Sequence, residues 1–107
     1  MPSALQPLEG IQELQKQDTS VWGIDVTLVA TSPTLPILEQ VVNEADSGVD
    51  IVGTVMSGSI TISGTTISFP SWTGLSAFVG KVLRVEYSFL DNNSNRRARH
   101  IRFKVIL

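Results

Sequence analysis

The 107-residue sequence predicts an all-β fold, an antiparallel β-sandwich or small barrel with one or two short helices. Three observations carry that expectation. After position 20, apolar and polar residues alternate with a period of two, the spacing at which a strand buries one face. Clusters of Gly, Pro and Asn interrupt these runs at short intervals, as the turns of a β protein require. Hydroxyls stand where charges usually do: 12 Ser and 9 Thr accompany only 17% charged residues, and 42% apolar residues are enough to fill a core. No repeat of roughly 20–50 residues is present, which excludes a solenoid or propeller.

Residues 1–20 read as an N-terminal polar arm or short helix, and residues 21–107 as a single β domain. Leu8, Ile11 and Leu14 recur every third residue after Pro7, which suits one helical face; Gly10 interrupts it, and an arm ordering on a neighbour fits equally. Trp22, Ile24, Val26, Leu28 and Ala30 then alternate along a half-buried strand, closed by Ser32-Pro33-Thr34-Leu35-Pro36. Residues 36–45 stay open between helix and strand. Ile37, Val41, Val42 and Ala45 make a helical stripe behind Thr34, whereas the β-branched pair Val41-Val42 suits a strand.

Val49–Met56 reads as a strand, Ser57-Gly58 as a turn, and Ser59–Ser63 as the first arm of a hairpin. Gly64-Thr65 is a Gly-first pair of the kind a two-residue type II′ loop needs. That turn sets Ser63 opposite Thr66, Ile62 opposite Ile67, Thr61 opposite Ser68 and Ile60 opposite Phe69, placing four apolar side chains on one face. Ser71 is positioned to cap a short helix carrying Trp72, Leu75, Phe78 and Val79, stopped by Gly80. The last hairpin pairs Leu83, Val85, Tyr87 and Phe89 with Ile101, Phe103, Val105 and Leu107 across the Asp91–Asn95 loop. Setting Tyr87 opposite Ile101 joins Glu86 to Arg102 and His100 to Ser88. This closing ribbon, its first strand carrying Tyr87, resembles the end of an immunoglobulin-like domain without the Cys–Trp–Cys marks. A jelly-roll-like sandwich fits the same spacing.

Composition narrows the chemistry. The absence of cysteine removes thiolate metal sites, thiol nucleophiles and disulfides. His100 alone would have to serve a Ser–His–Asp triad, and no Gly-x-Ser-x-Gly elbow accompanies it, so it is expected on the surface. Asp25 and Glu86 lie on polar strand faces, where acids are ordinarily solvated or salt-bridged, although paired carboxylates also serve glycoside cleavage. Glu44, Asp46 and Asp50 are oxygen donors of the type Ca²⁺ takes, in a spacing unlike an EF-hand. Trp22 and Trp72 are candidates for ligand stacking and equally for core anchors. Pro33–Pro36 forms a Pro-x-x-Pro pattern of the loop kind, and Asn92-Asn93-Ser94 a formal glycosylation sequon. No cofactor is implied.

Charge is segregated. Residues 1–80 carry eight acids against Lys16 alone, or −7; residues 81–107 carry seven bases against Glu86 and Asp91, or +5. The basic ribbon Arg96, Arg97, Arg99, His100, Arg102 and Lys104 is therefore the strongest candidate interaction surface. It is either neutralised by the acidic part, within a subunit or between subunits, or it meets an anionic partner such as single-stranded nucleic acid. Tyr87, Phe89 and Phe103 alternate away from these charges, whereas nucleic-acid readers interleave the two.

The leading expectation is a non-enzymatic structural or interaction protein, a homo-oligomer or part of a larger assembly of virion- or phage-like character. The alternatives are a nucleic-acid binder using the basic hairpin and a carbohydrate- or ligand-binding module. The first residues lack a basic segment followed by an apolar one, so synthesis in the cytoplasm without a signal peptide is expected. With no apolar run near 18 residues, no membrane partner is expected either.

Overall fold

Strands that alternate apolar and polar side chains must lay their apolar faces against a second layer. The computed structural model supplies that layer with two four-stranded sheets. It describes residues 3–5, 11–17, 22–27, 30–46 and 48–107. The first sheet runs in the order β1 (Ser3–Leu5), β3 (Trp22–Asp25), β7 (Thr66–Phe69), β6 (Thr61–Ser63). The second runs β2 (Ile11–Gln15), β10 (Arg96–Ile106), β9 (Val82–Leu90), β4 (Thr34–Asn43). A small ribbon joins β5 (Met56–Ser57) to β8 (Ser71–Trp72), with a one-turn helix α1 at Val52–Val55 and a 3-10 turn at Leu75–Phe78.

One core lies between the sheets. Trp22 stacks on Phe69 at 4.2 Å and on Trp72 at 5.6 Å. Phe103, from the second sheet, meets both indoles edge-on at 4.9 and 5.2 Å. Phe69 meets Tyr87 edge-on at 5.2 Å, so aromatic contacts tie the layers together. The fold is all-β and sandwich-like. Neither large sheet closes on itself among the described residues, which sets the barrel alternative aside.

The β6–β7 hairpin has the expected register, Thr61–Ser68, Ile62–Ile67 and Ser63–Thr66. Gly64 takes φ +60 there, as a Gly-first turn demands. Other expectations are corrected. Residues 11–15 are not helical; they pair in parallel with β10, and only Leu14 of that strand reaches the core. Residues 36–45 resolve to strand through Asn43, because Val41 and Val42 pair with β9 while Pro36 sits on an outer strand that needs no donor there. Leu28 and Val29 lie outside the described residues.

Val49–Met56 is not one strand. Asp50 turns its carboxylate onto the amides of Val41 and Val52, and Ile51 donates to the Val41 carbonyl. Those bonds to β4 stop extension, and one helical turn drops Val55 into the core. The helix expected from Ser71 is likewise reduced to the Leu75–Phe78 turn. Ser71 belongs to β8, its hydroxyl donating to the Ser57 carbonyl, and Gly74 at φ +62 redirects the chain. A Cβ on Gly74 would lie 2.7 Å from the Thr54 carbonyl oxygen, so glycine is needed there.

The closing hairpin keeps its expected faces but slips by two residues. Arg99 stands opposite Tyr87, Ile101 opposite Val85, His100 opposite Glu86 and Arg102 opposite Arg84. Leu107, expected inside, is 79% exposed beyond the end of β10.

Candidate interaction surface

The outer face of the second sheet gathers charge of both signs. Along β10, even-numbered residues from Arg96 to Lys104 share that face with Arg84, Glu86 and Ser88 of β9. A bulge in β4 between Leu38 and Gln40 brings Glu39 to the same side, where it accepts a 2.5 Å hydrogen bond from the buried Ser88 hydroxyl. Glu44, just past β4, reaches back over the sheet. Together they line an open groove of about 750 Å³ with Glu39, Glu44, Arg84, Glu86, His100 and Arg102 on its walls.

The register sets Arg84 directly beside Arg102, a like-charge cross-strand pair that is unfavourable alone. Glu44 answers it. Both its oxygens accept from the Arg102 fork at 2.7 Å, and one lies 3.8 Å from Arg84. Arg84 also donates to Glu86 at 3.1 Å, and the Gln40 amide donates to the same Glu86 oxygen. The Arg102 hydrogen bond holds the Glu44 carboxyl below its ordinary 4.5, and Glu44 in turn raises Arg102.

A second arrangement closes the loop between β9 and β10. Asp91, buried, accepts from the amides of Asn93 and Asn95 at 2.9 Å and from Arg97 at 2.8 Å. The Asn95 amide, then Arg97, hold its carboxyl below the usual 3.8. Asn92 ties the loop to the 31–32 segment, donating to Thr31 and accepting from the Ser32 amide.

The basic ribbon is thus divided. Arg96 donates to the Leu35 carbonyl at 2.7 Å, Arg97 to Asp91 and Arg102 to Glu44. Arg99 donates to the neighbouring Ala98 carbonyl, with Tyr87 across the ladder, while Lys104 is exposed. Burial pushes the Tyr87 phenol up to about 12, with Arg99 acting in the opposite direction. Arg97 and Arg99 fall on the inward parity of β10 and His100, Arg102 and Lys104 on the outward one, so the ribbon is not one continuous basic face.

The remaining candidates separate. Trp22 and Trp72 are 4% and 2% exposed, stacked in the core, so the ligand-stacking reading is corrected: neither ring offers a face to solvent. The Trp22 indole nitrogen finds no hydrogen-bond partner among the described residues. The Ca²⁺ reading is corrected too. Glu44 faces arginines, Asp50 binds two amides, and Asp46 lies in the turn whose amide donates to Asn43, so the three carboxylates do not converge. Asp25 and Glu86 lie on the outer faces of opposite sheets. Asp25 accepts from the Thr27 hydroxyl and amide, which hold its carboxyl low.

Sequence reasoning overlooked Glu39, Arg84 and the loop-closing role of Asp91. The Asp-Asn-Asn run was the available signal for the last, since such side chains bond amides two residues on. No family model, no curated protein and no solved structure matches this chain.

Proposed function

We propose that this protein is a non-enzymatic structural subunit that self-assembles into a larger complex. The observation that carries the reading is where apolar surface remains uncovered. The second sheet exposes Ile11 (45%) on β2 and Leu35 (63%) and Ile37 (43%) on β4, its two outermost strands. Outer strands carry unpaired backbone groups, and apolar side chains beside them mark an edge suited to covering. Leu35 protrudes at φ +48 ahead of Pro36, a strained conformation that Arg96 supports through its carbonyl bond.

Charge supports the same reading. Arg96, Arg97 and Arg102 already donate within the chain, which leaves the nucleic-acid alternative fewer cations for phosphates. Light scattering after size exclusion, across micromolar concentrations, tests the proposal. The expected result is a mass of two or more chains, reduced when Leu35 and Ile37 are both changed to Asp. A single-chain mass at every concentration overturns it.

A further inference from the structure

We propose that β2 is an exchangeable strand and that its partner is the β10 edge of a second copy of this chain. The inference rests on the self-assembly reading and names a contact at the β2 edge of the second sheet, opposite the β4 edge that bears Leu35 and Ile37. β2 joins the second sheet through parallel pairing of Ile11–Gln15 with Arg102–Ile106. Parallel pairs are slightly weaker per residue than antiparallel ones. Leu14 is its one buried side chain, packed opposite Val105, while Ile11, Glu13 and Gln15 are exposed.

The rest of the core does not depend on β2. The stacked Trp22, Phe69 and Trp72 and the β9–β10 apolar row all come from residue 22 onward. When β2 leaves, β10 presents a row of backbone donors and acceptors and an empty seat over Val105, a template for any strand of the same sequence. A second copy fits it in every term. Its β2 offers the same register, the same leucine and an acid, Glu13, opposite Lys104. This places an acid from the acidic part of one copy against the basic part of the other, so the same contacts form within or between chains and concentration selects.

The chain has no cysteine, which gives a direct test. Glu13 and Lys104 are register partners, at roughly the 4.8 Å spacing of neighbouring strands, inside the range a disulfide spans. The double variant Glu13→Cys/Lys104→Cys is oxidised at several concentrations and run without reductant, with its mass measured in parallel by light scattering. Interchain-linked species that grow with concentration are expected, and the separate variants Glu13→Cys and Lys104→Cys should join as a heterodimer when mixed. An intrachain bond at every concentration overturns the exchange. If that occurs while light scattering still reports an oligomer, self-assembly stands and exchange alone falls. If no oligomer forms, both fall. Both positions are exposed, and near-ultraviolet circular dichroism of the two tryptophans verifies that each variant is folded.

Discussion

The two hairpins of this protein solve the same problem by different means. β6–β7 is closed by two residues, Gly64 and Thr65, and its strand register follows from that turn alone. β9–β10 is closed by the five-residue segment Asp91–Asn95, which fits more than one register. A shift of two residues leaves every side chain of β10 on its original face, so alternation cannot choose between them. The local opposite-charge pair Glu86–Arg102 favours one register, yet the chain adopts the other. It sets two arginines side by side because Glu44, distant in sequence, holds Arg102 and lies near Arg84, because Glu86 holds Arg84, and because Asp91 fixes the loop. A turn can set register locally; a longer loop leaves it to tertiary contacts.

That contrast can be broken at three places. The largest effect is expected from Phe69→Ala in the short hairpin, which removes the ring stacked on Trp22 and edge-on to Tyr87. Urea denaturation should register a loss of about 3–5 kcal/mol, and the coupling of both sheets through this ring predicts one cooperative transition rather than two.

Next comes Gly64→Ala. A Cβ there meets nothing within 4 Å, so the cost is the left-handed backbone itself, about 1–2 kcal/mol by the same measurement. If the short turn sets its register alone, amide exchange in β6 and β7 should quicken while that of β9 and β10 stays unchanged.

The smallest effect, about 1 kcal/mol or less, is expected from Glu44→Gln, which leaves Arg84 facing Arg102 across the long hairpin. It carries a pH signature. Because the Glu44 carboxyl titrates below its ordinary 4.5 in the fold, the bridge stabilises above that pH and is lost as pH falls through the lower folded value. Denaturation midpoints of the two proteins should differ at neutral pH and converge in acid. A difference that does not narrow as the pH is lowered into acid would remove Glu44 from its role in the long hairpin.

The alternation of Leu83, Val85, Tyr87 and Phe89 was legible, as were three of the four expected β6–β7 pairs, because both depend on residues close in sequence; the expected Ile60–Phe69 pair lies outside the ladder. The candidate surface was legible only as a composition. Arg96 to Lys104 stand out as basic, but which of them are engaged depends on Leu35, Glu44 and Asp91, which come from other elements. Val52–Val55 misleads for a related reason. Its β-branched residues suit a strand, and only the bonds of Asp50 and Ile51 to Val41 turn it into a helix.

By itself, the order of residues decided which side chains point inward along each ribbon and where Gly64 bends the chain. Folding in three dimensions decided the slip of β9 against β10, the seating of β2 beside β10, and the partner each arginine meets. The reason is one of periodicity and distance. A two-residue repeat is blind to shifts of two, and besides the Asp91 loop bonds, the contacts that remove that degeneracy join residues tens of positions apart.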